Sequence, residues 1–162
     1  MSSTIDTRCL QYSLLAATLD CDTIDTTMEK TLIVKRGTHG LGLFTTTAIK
    51  KGALVIEYTG ERITADEANR RGGQYLFEIN DNWTVDGRGR ENTARYINHS
   101  CRPNCYPEID ESETHIYIYA KRAIRAGEEL TYDYGKEFFN TYIKPKQCRC
   151  EKCTESRGSI ES

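Results

Sequence analysis

Turn-forming residues interrupt this chain so often that it can hold only short regular elements. Gly37-Thr38-His39-Gly40-Leu41-Gly42, Lys50-Lys51-Gly52, Gly72-Gly73, Asn80-Asp81-Asn82, Asp86-Gly87 and Pro103-Asn104 all carry residues that favour turns. The stretches between them are rich in β-branched and aromatic residues, which suit strands. Strands are therefore expected over residues 31–36, 53–58, 75–79, 83–85, 105–109, 115–120 and 128–132. The best helix is 64–71: Thr64 can cap its first turn, Glu67 can complete a capping box, and Gly72-Gly73 stops it. A shorter helical turn is expected over 92–97. Many short strands with few short helices make a mainly β domain of small sheets, and 162 residues suit one such domain.

Residues 1–28 are rich in Thr, Ser and Asp and read as an N-terminal extension with no assigned function. Residues 9–19 within it form either a short amphipathic helix or part of a frayed arm. The net charge of −2 gives no sign of direct nucleic-acid binding. No apolar run approaches the ~20 residues of a membrane span, and no secretory leader stands out. The chain therefore reads as soluble and intracellular, in the nucleus if eukaryotic and in the cytoplasm otherwise.

Residues 95–105, Arg-Tyr-Ile-Asn-His-Ser-Cys-Arg-Pro-Asn-Cys, concentrate amide, imidazole, hydroxyl, thiol and guanidinium groups with little aliphatic cover. Such a stretch makes a poor strand and a poor helix. It is either a solvated loop or a loop whose polar groups face inward and bind something, and Tyr96 and Ile97 favour the second by offering an anchor to a core. Tyr132 and Tyr134 stand two residues apart, so in an extended segment they share a face. The seven cysteines are an odd count, with Cys148, Cys150 and Cys153 packed close together. That pattern suits a metal site better than a disulfide framework. Closed zinc sites take four ligands, and Cys101 is the candidate for the fourth; the alternative is three free surface thiols. The acidic tip Asp110-Glu111-Ser112-Glu113 is either a solvated hairpin turn or an attractor for a basic tail.

Taken in order, Gly40-Leu41-Gly42, then Arg95-Tyr96-Ile97-Asn98-His99-Ser100-Cys101-Arg102-Pro103-Asn104, then Glu129-Leu130-Thr131-Tyr132-Asp133-Tyr134-Gly135, then the cysteine triplet resemble the motifs of SET-domain protein lysine methyltransferases with a post-SET zinc-binding tail. The resemblance spans roughly residues 30–153. It implies a SET fold of small curved β-sheets with a C-terminal pseudoknot, a SET domain over 30–138 and a post-SET segment over 139–162. It implies S-adenosylmethionine as methyl donor, structural Zn2+, and a protein or peptide lysine as acceptor, a histone tail being one such substrate.

Residue roles follow from the same resemblance. His39, Gly40, Leu41 and Gly42 would cradle the donor, with Tyr75, Asn98 and His99 as its other contacts. Tyr134 would be the catalytic tyrosine, with Tyr132 and Tyr75 beside it at the lysine channel, and Tyr132 would influence how many methyl groups are added. Cys101, Cys148, Cys150 and Cys153 would hold the zinc, folding Phe138, Phe139 and Tyr142 over the channel as an aromatic lid. The rival reading is a catalytically weak SET module that binds a lysine-containing peptide or acts as a scaffold.

Overall fold

The structure is a computed structural model that describes residues 31–37 and 40–158. The extension over 1–28 and His39 lie outside the described residues. Among the described residues, ten short strands form four small sheets. β1 (Leu32–Gly37) and β2 (Gly40–Thr45) pair as a hairpin. β3 (Leu54–Glu57) joins the hairpin of β8 (Cys105–Ile109) and β9 (Ile116–Ala120), with β9 in the middle. β4 (Glu61–Thr64) and β5 (Leu76–Glu78) flank β6 (Trp83–Asp86). β7 (Asn98–His99) and β10 (Thr131–Tyr132) pair in parallel. No helix among the described residues is long and apolar enough to cross a membrane.

Alternation along β9 shows how the core is made. Ile116, Ile118 and Ala120 are buried, while His115, Tyr117 and Tyr119 face outward. The inward set meets Leu43, Val55, Ile97, Ile124 and Leu130 in one core. Each large aliphatic side chain buried there contributes about 1.5–3 kcal/mol relative to exposure. Ile97 is therefore the anchor of the polar stretch, and Tyr96 packs against the same core.

Helix α1 (Ala65–Arg71) begins as expected, with Thr64 Oγ1 accepting from Glu67 N–H at 3.2 Å, and ends at Gly72, where φ is +55°. The capping box is not closed. The Glu67 carboxylate turns instead to Arg70 and to Arg71, the latter at 2.6 Å. Arg71 also bonds Glu61 at 2.6 Å and the buried Asp86 at 3.0 Å, tying α1 to the sheet beside it. Burial works against the Asp86 charge, but hydrogen bonds from Arg88 and Arg71 prevail and hold its carboxyl below the usual range.

Three elements differ from expectation. β4 is a strand although only Ile63 of its four residues is buried, so pairing with β6 rather than composition creates it. Of residues 128–132 only Thr131–Tyr132 is strand, with Glu129 making an isolated bridge to Phe44. Asn98–His99 becomes a strand because β10 offers it a partner. Beyond Gly135 the chain is mostly helical: α2 (Lys136–Phe138), a π-helical turn (Phe139–Ile143), a 3-10 turn (Lys144–Lys146) and α3 (Glu151–Gly158).

The β7–β10 pair is locked by Asn104, only 3% exposed. Its Nδ2 donates to Glu129 O at 2.8 Å and its Oδ1 accepts from Thr131 N–H at 2.8 Å. The last residue of the Pro-Asn turn thus holds the C-terminal segment against the polar stretch.

Candidate active site

A cleft of about 1310 Å³ runs between the β1–β2 hairpin, the β7–β10 pair and the C-terminal helical segment. Leu41, Tyr75, Asn98, His99, Tyr132 and Tyr134, six of the residues expected at the site, all line it. Gly40 and Gly42 flank Leu41 without lining the cleft.

Asn98 stands where β7 meets β2 and the segment leading into β10. Its Nδ2 donates to Leu41 O at 3.0 Å and to Glu129 Oε1 at 2.7 Å. Both amide hydrogens are thereby used, which leaves Oδ1 to accept from a ligand. Gly42 allows this approach: a Cβ there would collide with Glu129 Oε1 and crowd Asn98 Nδ2.

The His99 ring is engaged on both sides. Nδ1 accepts from Tyr134 N–H at 3.3 Å, and Nε2 lies 3.4 Å from Cys101 Sγ. An accepting Nδ1 assigns the proton to Nε2, directed at sulfur. Burial lowers the His99 pKa, against the opposing charge of Asp133, so the ring is neutral at ordinary pH. His99 thus turns toward the cysteines as well as toward the cleft.

A wall of aromatic rings lines the deeper part of the cleft. Tyr58 lies 5.5 Å from Phe77, Phe77 6.4 Å from Tyr132, and Tyr132 4.9 Å from Tyr134. Phe138 stands edge-on to Tyr134 at 4.8 Å, and Tyr142 follows at 4.7 Å. The Tyr134 hydroxyl donates to Ile97 O at 2.6 Å. Burial pushes the hydroxyls of Tyr132 and Tyr134 well above their ordinary pKa, so both stay protonated. Phe138 and Tyr142 line the cleft as the expected lid would, whereas Phe139 packs on His99 at 5.4 Å and does not line it.

Cys101, Cys148, Cys150 and Cys153 come together, with all four sulfurs within 4.8 Å of one another. Cys101 Sγ is 3.9 Å from Cys148 Sγ and 3.7 Å from Cys153 Sγ. Tetrahedral Zn–S bonds of about 2.3 Å would set sulfurs ~3.8 Å apart, so the four thiols could hold a metal of that size. Burial opposes the Cys150 thiolate, but backbone N–H groups of Cys101 and Cys153 point at it and bring its pKa down to about 7. Burial and the neighbouring thiols push Cys101 up. Four cysteine sulfurs gathered at these distances have the chemistry of a metal site. Cys105 is separate and buried in the core, where burial raises its thiol to about 12.

With this geometry in view, comparison with known proteins is decisive: the family model described as "SET domain" matches residues 40–135. The chain belongs to the SET-domain family. It is 44% identical over 125 residues to "Histone-lysine N-methyltransferase trithorax" of Drosophila virilis, covering 71% of this chain and 3% of that protein. It is 45% identical over 117 residues to "Histone-lysine N-methyltransferase MEDEA" of Arabidopsis thaliana, covering 67% of this chain and 17% of that protein. To "Histone-lysine N-methyltransferase 2B" of Homo sapiens it is 37% identical over 139 residues, 79% of this chain and 5% of that protein. The chain thus spans a small part of the length of each relative.

Three residues that shape this SET domain's site were given no role by the sequence, and of them Arg95 lines the cleft. Glu129 sits beside Tyr132 in the motif, but its bond to Asn98 joins residues 31 apart in the chain. Asn104 looks like a turn residue and is a clamp. Arg95 stacks its guanidinium 4.0 Å over the Tyr75 ring at the mouth of the cleft, and its Nε is buried without a partner. The nearness of Arg95 to Asn98 in sequence was the one available signal.

Proposed function

We propose that this SET domain is the methyl-transferring module of a protein-lysine N-methyltransferase of the histone-lysine type. The observation that carries the reading is the pairing of Tyr134, held to Ile97 O at 2.6 Å, with Asn98, whose Oδ1 is left open to the same cleft. S-adenosylmethionine, the donor the family implies, supplies a methyl group on a sulfonium when bound. Asn98 Oδ1 would accept from its polar end, and the Leu41 turn would lie against it.

Tyr132, Tyr134, Phe77 and Phe138 form the walls for a lysine side chain. A free lysine has a pKa near 10.4, and an apolar aromatic channel disfavours its ammonium by desolvation. A neutral amine is the nucleophile, and the two protonated tyrosine hydroxyls orient it. Methyl transfer is an in-line displacement, so alignment of the two ends supplies much of the acceleration. Aromatic faces also tolerate the methylated cationic product.

The four cysteines would hold structural Zn2+ and fix residues 139–158 as a post-SET tail, closing Phe138 and Tyr142 over the lysine. A histone tail is the proposed substrate, in line with the relatives' names, and the nucleus is the corresponding compartment. Transfer of a radiolabelled methyl group to core histones, with Tyr134→Phe as the control, tests the reading. Calorimetric binding of the donor tests its first step separately.

A further inference from the structure

A second concavity of about 680 Å³ lies apart from the cleft and shares no lining residue with it. Lys50, Arg122, Arg125 and Glu128 surround it, with Ala48 and Ala123 leaving its floor open. Two segments far apart in sequence meet here. Ile49 and Ile124 exchange backbone hydrogen bonds at 2.9 Å, and Gly52 N–H donates to Ala120 O at 2.8 Å. This stitching sets Lys50 and Lys51 beside Lys121, Arg122 and Arg125, and all five side chains are exposed. Glu128 pairs with Arg122 at 3.0 Å. Among the described residues no carboxylate pairs with Lys50, Lys51, Lys121 or Arg125. A chain of net charge −2 therefore carries a local surplus of four positive charges.

We infer that this concavity docks the phosphate backbone of a nucleic-acid duplex. Its chemistry separates that partner from other anions. The large aliphatic side chains present, Ile49 and Ile124, are 4% and 1% exposed, and Ala48 and Ala123 expose only single methyl groups, so no large apolar side chain is available to enter a lipid surface. No aromatic ring lines it, so it has no platform for the stacked bases of a single strand. What remains is an array of point charges around a shallow floor, which suits phosphates and reads charge rather than sequence. Because the concavity and the cleft share no residue, a duplex and a peptide can be bound together. The inference is independent of the methyl-transfer reading.

The test is fluorescence anisotropy of a labelled short DNA duplex with the full chain at low salt. Lys50→Glu/Lys51→Glu/Arg125→Glu is compared with Arg36→Glu/Arg90→Glu/Arg157→Glu, which makes the same charge change at exposed sites elsewhere. The wild type is expected to bind, with log Kd rising against log salt at a slope of about three to four, as neutralising that number of phosphates requires. The first variant is expected to lose at least about tenfold in affinity and the second much less. Circular dichroism checks that both are folded. Absence of duplex binding by the wild type, or equal loss in the two variants, overturns the inference. So does binding to phosphatidylserine vesicles or polyglutamate that the first variant abolishes while its duplex affinity is unchanged.

Discussion

Glu129 Oε1 accepts a hydrogen bond from Asn98 Nδ2 at 2.7 Å, and that same oxygen occupies the space a Cβ on Gly42 would need. Three motifs distant in sequence are thereby fixed by one carboxylate. Gly42→Ala is expected to push Glu129 away from Asn98, to destabilise the fold by about 1–3 kcal/mol and to weaken donor binding. Glu129→Leu leaves the Asn98 amide short of an acceptor at a cost of about 1–3 kcal/mol, while Glu129→Gln keeps an acceptor and most of the binding. Thermal denaturation and calorimetry with S-adenosylmethionine check both effects. Unchanged binding in Glu129→Leu would mean that Asn98 is held without it.

Tyr132 is 8% exposed, lies against Tyr134 and still lines the cleft, so in the proposed reaction its hydroxyl would take up room beside the amine. Tyr132→Phe is expected to shift the product of the proposed reaction toward more methyl groups per lysine. Mass spectrometry of the methylated peptide reads this directly. An identical distribution of products would remove Tyr132 from the control of methylation degree.

The cysteine cluster joins the polar stretch to the tail, because Cys101 belongs to one and Cys148, Cys150 and Cys153 to the other. Removal of metal by a chelator, or Cys148→Ser, is expected to free residues 136–158 while the β core stays folded. Hydrogen exchange should rise in that segment and remain slow in β9. Methyl transfer should fall much further than donor affinity. Global unfolding on chelation, or full activity without metal, would contradict the division between core and tail.

Asp110 folds the tip of the β8–β9 hairpin by accepting N–H bonds from Thr114 and His115, both at 2.8 Å. Burial opposes its charge, but the Ser112 hydroxyl and those two amides outweigh it and lower its pKa to about 2. A carboxyl depressed in the folded state stabilises above its unfolded pKa of about 3.9 and loses that contribution as pH falls toward 2. Asp110→Asn is expected to lower Tm at neutral pH, with the gap from wild type closing between pH ~4 and ~2. A gap independent of pH would show that the charge is not what shapes the turn. Asp110 of the acidic tip thus has a structural role in its own hairpin.

The strands that sequence reveals are those whose side chains alternate, as in β9, and the helix it reveals is the one with a capping Thr and a stopping Gly. β4 and β7 lie beyond that reach because their strand character comes from a partner distant in the chain, with Glu61 facing Asp86 and Asn98 facing Thr131. The helical tail is equally hidden, since α3 has no buried aliphatic stripe to give it a period. Site residues with distinctive chemistry, such as Asn98, Tyr134 and the cysteines, are legible by type and spacing. Glu129 and Asn104 are not, because each acts through a bond across more than twenty residues that no local pattern encodes.

Tyr134 bears most directly on methyl transfer. Its hydroxyl is held to Ile97 O, its ring forms the wall shared by Tyr132 and Phe138, and its backbone N–H is bonded to His99. The decisive measurement is transfer of labelled methyl from S-adenosylmethionine to a histone lysine, compared between wild type and Tyr134→Phe, with donor affinity measured on both. The expected result is transfer by the wild type and a loss of about a hundredfold or more in the variant, roughly 2.7 kcal/mol of barrier, with donor affinity little changed. Donor binding without transfer by the metal-loaded wild type, or equal turnover in the two proteins, would contradict it.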